Sequence, residues 1–387
     1  MNKSPRIMAL LGGTVLFGQE RGNIEALATL RESGYDILCL VCSADADHQI
    51  IPALEARGLK WRKVPYIEHR IPGRLHYTIM ANPFRFILAN MIFCWEVARF
   101  RPAYIHACNP LYVMNFLVGL SVWHIPIIYR AGDQPILHNP IWRLTWAFIT
   151  RRAAHFVANS RFVAQSIVNA GAPPRRVSVI YNAPPKRVPA KLLVGNLVGP
   201  RSQRVAFVGQ ICEHKGTHLL ITAFRSIAHE FPDATLVIAG RLTNWSWDAW
   251  ARKLQNNVSL DPQLRDRVTF LGEVEDIETL LDQSAFLVVP SVFDDPSPNV
   301  VMEAKRAGRP AIVFPRGGMP ELIESGVDGL VCDEPTEAAL SKALRVYLGD
   351  EDVTQRHGAA AKRSMVRLGI DHFAQSWLGV YSARDAD

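Results

Sequence analysis

Short apolar runs, alternating with longer segments of helical periodicity, constrain this chain more than any other feature. In the first half the runs are IMALL (7–11), YDILCLVC (35–42), AYIHAC (103–108), PIIYR (126–130), HFVANS (155–160) and VSVIYN (177–182). The second half adds RVAFVG (204–209), ATLVIAG (234–240), RVTFLG (267–272), AFLVVPS (285–291) and PAIVFP (310–315). Each run is mostly apolar rather than apolar only at every second residue, as a strand is when both faces of its sheet are covered. The segments between them, such as NIEALATLRESG and THLLITAFRSIAHEFP, place apolar residues at helical spacing and stop at Gly or Pro. The expectation is an α/β chain of parallel sheets flanked by helices.

The pattern restarts after the Pro-rich NAPPKRVPAKLLVGNLVGP (182–200), and 387 residues exceed what one core organises. This predicts two Rossmann-like doubly wound domains, 1–190 and 191–369. The amphipathic IDHFAQSWLGVY (370–381) suggests a helix over about 370–387 that returns to the first domain. Ligands bind beyond the carboxyl ends of such strands, so a cleft across which the domains face each other is the expected site.

Several classes are disfavoured. The opening MNKSPRIMALLGG is too short in apolar residues for an export signal and suits a first buried strand. Asn115, His124 and Pro126 interrupt LYVMNFLVGLSVWHIPIIY (111–129), which reads as a buried helix running into a strand rather than a membrane span. Cys39 and Cys42 fall on opposite faces of a strand, a placement that suits core thiols in a reducing cytoplasm better than a redox or zinc pair. Residues 1–190 hold 22 Lys/Arg against 10 Asp/Glu, while the whole chain carries +7. Within that basic half, WRKVPYIEHRIPGRLHYTIMANPFRFILANMIFCWEVARFRP interleaves Arg and Lys with bulky apolar residues. It fits either a solvated face or a surface for anionic lipid or an anionic lipid-linked substrate. No nucleic-acid motif accompanies the charge.

The segment DDPSPNVVMEAKRAGRP (294–310) carries the chemistry. Ser297 reads as an N-cap and Pro298 as the first helical residue, which leaves the N–H groups of Asn299 and Val300 facing outward at a helix N-terminus suited to phosphate. Asp295 precedes the helix and Glu303 lies about 9 Å along it from the cap. Two carboxylates flanking an anion seat suit hydroxyl-rich groups joined by a diphosphate, that is, a nucleotide-sugar. A surface helix with incidental acids fits the spacing as well.

With its surroundings, the segment resembles the E-x7-E element of the retaining GT-B glycosyltransferases of family 4, Asp295 standing for the first Glu. VGQICEHKGTHLLITAF (208–224), VIAGR (237–241), VTFLGEVEDIETLLDQSAFLVVPS (268–291), EAKRAGRPAI (303–312) and GGMPELI (317–323) follow in the family's order. The resemblance implies a metal-independent hexosyl-type transferase with no cofactor, whose co-substrate is a UDP- or GDP-linked sugar. Lys215 would neutralise the donor diphosphate, with Arg241 helping, since Gln210 stands after Gly209 where many members have Arg. Glu303 would hold the ribose and Asp295 the transferred sugar. Backbone around Gly272 and Val274 would meet the base. Gly317, Gly318 and Met319 would form a turn near the phosphates, although a plain βα turn accounts for the two glycines too.

In the first domain the Gly-rich LLGGTVLFGQERGNIEALATL (10–30) lacks dinucleotide spacing. The resemblance gives it to phosphate closure and acceptor contact through Gly13, Gln19, Glu20, Arg21 and Asn23, Arg21 being equally an exposed helix-start residue. His106 and Asn109 end a strand and are expected to line the cleft, His106 fitting the core equally well. Where many relatives place a sugar-contacting His, this chain has Gly132 followed by Asp133. Asp133, or His138, would then hold a sugar hydroxyl. The implied acceptor is a glycan or lipid-diphosphate-linked glycan in cell-surface polysaccharide assembly, with the protein cytoplasmic and peripheral on the inner face of the membrane. The rival functions are a sugar-nucleotide epimerase or hydrolase and a non-enzymatic sugar-binding protein.

Overall fold

The computed structural model describes residues 5–16, 18–43, 48–65, 83–183, 197, 199–240, 247–274 and 276–385. The chain divides into two units, Met1–Pro185 with Ile370–Asp387, and Lys186–Gly369. Most of the Pro-rich 182–200 stretch lies outside the described residues.

The first unit contains β1 (Arg6–Leu11), β2 (Asp36–Cys42), β3 (Lys60–Val64), β4 (Tyr104–Ala107), β5 (Ile127–Ala131), β6 (Ala153–Ala158) and β7 (Val177–Val179). They form one sheet in the order β3-β2-β1-β4-β5-β6-β7. Every pairing is parallel, and Ile7 is in register with Ile37 on one side and Tyr104 on the other. In the second unit β8 (Arg204–Val208), β9 (Thr235–Ala239), β10 (Val268–Gly272), β11 (Phe286–Val289), β12 (Ala311–Val313) and β13 (Gly329–Val331) pair as β10-β9-β8-β11-β12-β13. Strand order reverses at β1/β4 and at β8/β11, which makes both sheets doubly wound, as expected, and marks the switch points at which sheets of this kind bind ligands.

Burial explains why the inner strands are legible. Ile7 to Leu10 are fully buried, and Val205, Leu236 and Leu287 are likewise inaccessible. Cys39 and Cys42 are buried free thiols. Two strands were not anticipated. KWRKV at β3 is a charged edge strand, and β13 is a three-residue edge; edges tolerate both traits because one side stays open.

Segment 111–129 departs from the single helix expected. It forms Pro110–Asn115 and then Leu117–Val122, broken at Phe116, before β5. The cause is a side chain inserted into the helical ladder. Asn90 Nδ2 donates to the Asn115 carbonyl at 2.9 Å, and the Gly119 N–H donates to Asn90 Oδ1 at 2.9 Å. Phe116 then stacks on Phe93 with centroids 5.1 Å apart. Among the described residues no helix is long and apolar enough to cross a membrane.

The final helix, Ile370–Asp385, packs on helix Gly18–Glu32 of the first unit. Phe373, Trp377 and Tyr381, spaced four apart, fall on one face and are buried. Tyr381 meets the Tyr104 ring edge-on at 5.3 Å, and Trp377 lies 5.5 Å from His106. Trp377 is fully buried, so Trp377→Ala should remove about 3–5 kcal/mol of stability. Urea unfolding followed by circular dichroism should show the first unit's transition at lower denaturant; an unchanged midpoint would mean that the helix does not hold this unit.

Candidate functional site

In the second unit the loops that leave the carboxyl ends of β8, β11 and β12 press backbone against backbone. After β8 and Gly209, a 3-10 turn at Glu213–Lys215 ends in Gly216, which adopts φ +71°. A Cβ there would lie 1.8 Å from the Pro290 carbonyl oxygen just past β11. The Val292 N–H donates to the His214 carbonyl at 2.9 Å and ties the two loops together. After β12, Gly317 adopts φ +58°, and a Cβ on it would come within 2.4 Å of the Asp295 carbonyl oxygen. The Gly318 N–H donates to that same oxygen at 2.9 Å.

This packing brings Lys215 and Asp295 together. Lys215 Nζ donates to Asp295 Oδ2 at 2.7 Å and sits 4.7 Å from the Phe293 ring centroid. The Asp295 side chain is 8% exposed and that of Lys215 23%, so the pair is half-sheltered from solvent screening. Neighbouring His214 stacks edge-on against Phe293, and burial, with the Lys215 charge second, lowers its pKa, partly opposed by Asp295.

The carboxylate-bearing helix spans Asn299–Arg306. Its N-cap is Pro298, at φ −69° and ψ 115°, without a side-chain cap; this corrects the assignment of Ser297 as N-cap and Pro298 as first helical residue. The extended ψ of Pro298 cannot join the helix, which therefore starts one residue later. Asn299 and Val300 at its start and Glu303 in its middle are half-buried, while Ser297 and Met319 are buried. Lys305, on the inner face, donates from Nζ to Asp328 Oδ2 at 2.7 Å and to Ser364 Oγ at 3.2 Å, which fixes the helix against the body of the unit. Gly209 and Gln210 are half-buried where β8 ends, Gly272 is exposed where β10 ends, and Val274 follows it. Arg241 lies outside the described residues.

The first unit places its candidates differently from the sequence expectation. Helix Gly18–Glu32 begins at Gly18, so Gln19, Glu20, Arg21 and Asn23 are helical rather than in a loop. Of these four only Arg21 is exposed. Gln19 Nε2 donates to the Cys108 carbonyl at 2.5 Å, and Asn23 Nδ2 donates to the Gln19 carbonyl at 2.8 Å. Gly13 is half-buried after β1, where a Cβ would lie 3.3 Å from Tyr112 Oη and 3.7 Å from Glu20 Oε1. Asn109 caps helix Pro110–Asn115 by accepting from the Leu111 N–H at 2.9 Å. Asp133 is exposed and accepts the Gln134 N–H at 2.8 Å; His138 is exposed as well.

His106 is a core residue rather than a lining one. It is fully buried, with Nδ1 2.9 Å from Tyr381 Oη and Nε2 3.0 Å from Asn23 Oδ1. Burial, and second the Arg130 charge, pushes its pKa down to about 3, so the ring is neutral. Gly132 is explained by packing. A Cβ there would meet Gln19 Cγ at 3.0 Å, so Gln19 occupies the space that a larger residue would take.

Arg130 and Asn182 escaped the sequence reading. Arg130 is 1% exposed, its pKa lowered by burial to about 10. Its Nη2 donates to Asn182 Oδ1 at 2.5 Å and its Nη1 to the Gln19 carbonyl at 3.3 Å. A Cβ on Gly22 would overlap the guanidinium at 2.4 Å. An arginine inside the otherwise apolar run PIIYRA was the available signal, because a charge in a doubly covered strand must be held by specific partners.

Among the described residues no three His, Cys, Asp or Glu side chains group as metal ligands would. Two doubly wound units in one chain, with a cation, a carboxylate and a helix start gathered at the strand ends of the second, define the class of two-domain Rossmann-like proteins. The model of Glycosyltransferase Family 4 matches residues 18–183, and that of Glycosyl transferases group 1 matches residues 196–364; together they indicate a GT-B glycosyltransferase family. Spore coat protein SA of Bacillus subtilis (strain 168) is 32% identical over 185 residues, 46% of this chain and 48% of that protein. The chain thus matches about half the length of this relative. D-inositol 3-phosphate glycosyltransferase of Mycobacterium sp. (strain KMS) is 25% identical over 333 residues, 76% of this chain and 73% of the relative. In three dimensions, HepE of Anabaena in complex with UDP superposes with a TM-score of 0.78 over 98% of this chain and 100% of that one, at 18% identity, a likeness of fold.

The buried histidine makes a pH prediction. An unfolded chain protonates this ring below its ordinary pKa of 6.5, whereas the folded chain holds it neutral down to about 3. The unfolded state therefore binds more protons in that window, and stability falls as pH drops through it, by up to about 1.4 kcal/mol per pH unit. Denaturant melts of the wild type and His106→Gln between about pH 7.5 and about pH 5 should show a shallower decline in the variant; parallel declines would contradict a ring held neutral.

Proposed function

We propose that the protein transfers a hexosyl group from a nucleotide-sugar to a glycan or lipid-diphosphate-linked glycan, with retention of anomeric configuration. The observation that carries this reading is the Lys215–Asp295 pair at 2.7 Å, set between the two glycine turns and just before the start of helix Asn299–Arg306. In the structure each charge neutralises the other. An arriving diphosphate offers Lys215 a stronger partner and releases Asp295 to accept hydrogen bonds from sugar hydroxyls. Glu303, further along the helix, takes the ribose hydroxyls.

Catalysis then rests on preorganised charge. As the sugar–phosphate bond lengthens, negative charge grows on the departing nucleoside diphosphate, where Lys215 and the backbone N–H groups at the helix start are already aimed. The acceptor hydroxyl attacks on the face that the leaving group vacates and passes its proton to a donor phosphate oxygen, which preserves configuration. No metal or other cofactor takes part in this reading. HepE's complex with UDP makes UDP-sugars the first donors to try, with GDP-sugars beside them. The basic, apolar surface of the first unit suggests an acceptor at the cytoplasmic face of an anionic membrane, in cell-surface polysaccharide assembly. An epimerase or hydrolase would consume donor without acceptor, and a sugar-binding protein would leave it intact.

Nucleoside diphosphate release from a panel of UDP- and GDP-sugars, with and without membrane lipid extract, tests this reading. Release should need acceptor, survive a metal chelator, and give a product whose anomeric proton coupling matches the donor's. Lys215→Ala should lower kcat by about a hundredfold or more. Glu303→Ala should weaken donor binding by about tenfold through its lost hydroxyl contacts. Normal kcat in the lysine variant, or unchanged donor affinity in the glutamate one, would withdraw that residue's role.

A further inference from the structure

We propose that the outer face of helix Pro83–Phe100 is the surface by which this protein lies on an anionic lipid bilayer. This deepens the proposed function and rests on it for the lipid-linked acceptor. The helix is apolar on two opposite sides. At about 100° per residue, Ala89, Asn90, Phe93, Glu96 and Val97 cluster on one side and are buried. Phe84, Ile87, Leu88, Met91 and Trp95 fall within about 100° of arc on the other. These five are 81%, 55%, 47%, 63% and 52% exposed. A globular helix ordinarily turns charged or polar residues outward.

The helix that packs against this one is apolar outward as well. Leu117–Val122 packs against it through the Asn90–Gly119 hydrogen bond, and a Cβ on Gly119 would lie 2.4 Å from the Phe93 ring. On the outer side of that short helix, Val118 and Val122 are 51% and 64% exposed. So many exposed apolar side chains on adjoining helices mark a surface that is covered in use.

Charge selects the occupant. Arg85, Arg99 and Arg101 are exposed along the helix and at its end. The one acid within 83–101, Glu96, is turned inward and paired with Arg62. Trp95 lies between two guanidiniums, with Arg62 Cζ 5.0 Å and Arg99 Cζ 5.3 Å from its ring centroid. A tryptophan with arginines at its faces suits the headgroup layer, where the ring meets the acyl boundary and the cations meet phosphates. A second copy of this chain would bring arginines against arginines. An acidic bilayer satisfies both the stripe and its rim.

Vesicle co-sedimentation at low and physiological salt tests this, with phosphatidylcholine alone and with phosphatidylcholine containing phosphatidylglycerol. The wild type should sediment with the acidic vesicles only, and salt should release part of it. Ile87→Asp combined with Met91→Asp, at exposed positions that leave the core intact, should cut binding by about tenfold or more. Arg99→Gln should cut it by about fivefold. Wild-type binding that is absent, or equal in the apolar double variant, overturns the proposal. So does a wild-type dimer that the double variant converts to monomer in sedimentation velocity, because a second copy would then cover the face. Donor turnover is measured separately, without vesicles and with detergent-solubilised lipid extract as the acceptor. Acidic-vesicle binding by a protein that turns over no sugar nucleotide would uphold the lipid surface and remove the transferase reading.

Discussion

Backbone touching backbone at the strand ends of the second unit is the constraint on which its site depends. Gly216 against the Pro290 carbonyl and Gly317 against Asp295 leave no room for a single Cβ. Gly240 does the same against the Gly209 carbonyl, with 1.8 Å to a built Cβ. Four loops, after β8, β9, β11 and β12, are thereby locked at fixed spacing. Lys215 precedes one of these glycines, and Asp295 is the residue that another rests on, so their short contact follows from the loop packing. A long flexible lysine held in one rotamer loses entropy. Here the Phe293 ring and the Asp295 carboxylate supply the compensating contacts.

Charge is handled differently at the two ends of helix Asn299–Arg306. Near its start Lys215 and Asp295 are partly open to water, so their attraction is moderate and can be exchanged for another partner. Toward its end Lys305 and Asp328 are almost inaccessible, at 2% and 4% exposure. Asp328 also accepts the Glu324 N–H at 2.8 Å. A buried pair with its remaining valences filled is costly to break, because either charge left alone would be stranded. One end of the helix is anchored while the other presents exchangeable charge.

Sequence periodicity made the inner strands legible because full burial on both faces demands uninterrupted apolar runs. It did not reveal β3 or β13, whose edge positions relax that demand. The second-unit site was legible in its parts, since glycines, an isolated lysine and two acids at fixed spacing all lie along the chain. Contacts between distant segments were not: nothing in the sequence says that Lys215 reaches Asp295, or that Gln19 fills the space beside Gly132. His106 shows the limit most plainly. A histidine at a strand end reads as a cleft residue until Tyr381, 275 positions away, is seen to take its other nitrogen. The break at Phe116 was hidden for the same reason, because Asn90 causes it from another helix.

The helix formed by the chain's last described residues has a consequence for how the protein is made. Tyr104, His106 and helix Gly18–Glu32 leave the ribosome early, but Trp377 and Tyr381, which cover them, follow only after the whole second unit has been translated. Until then the nascent first unit carries an uncovered aromatic pocket and a histidine lacking one of its partners. Such a surface invites holdase chaperones or misassembly during elongation. Completion of the first unit is thus coupled to synthesis of the second, so a translation product cut short before Ile370 would be marked by its own unfinished core.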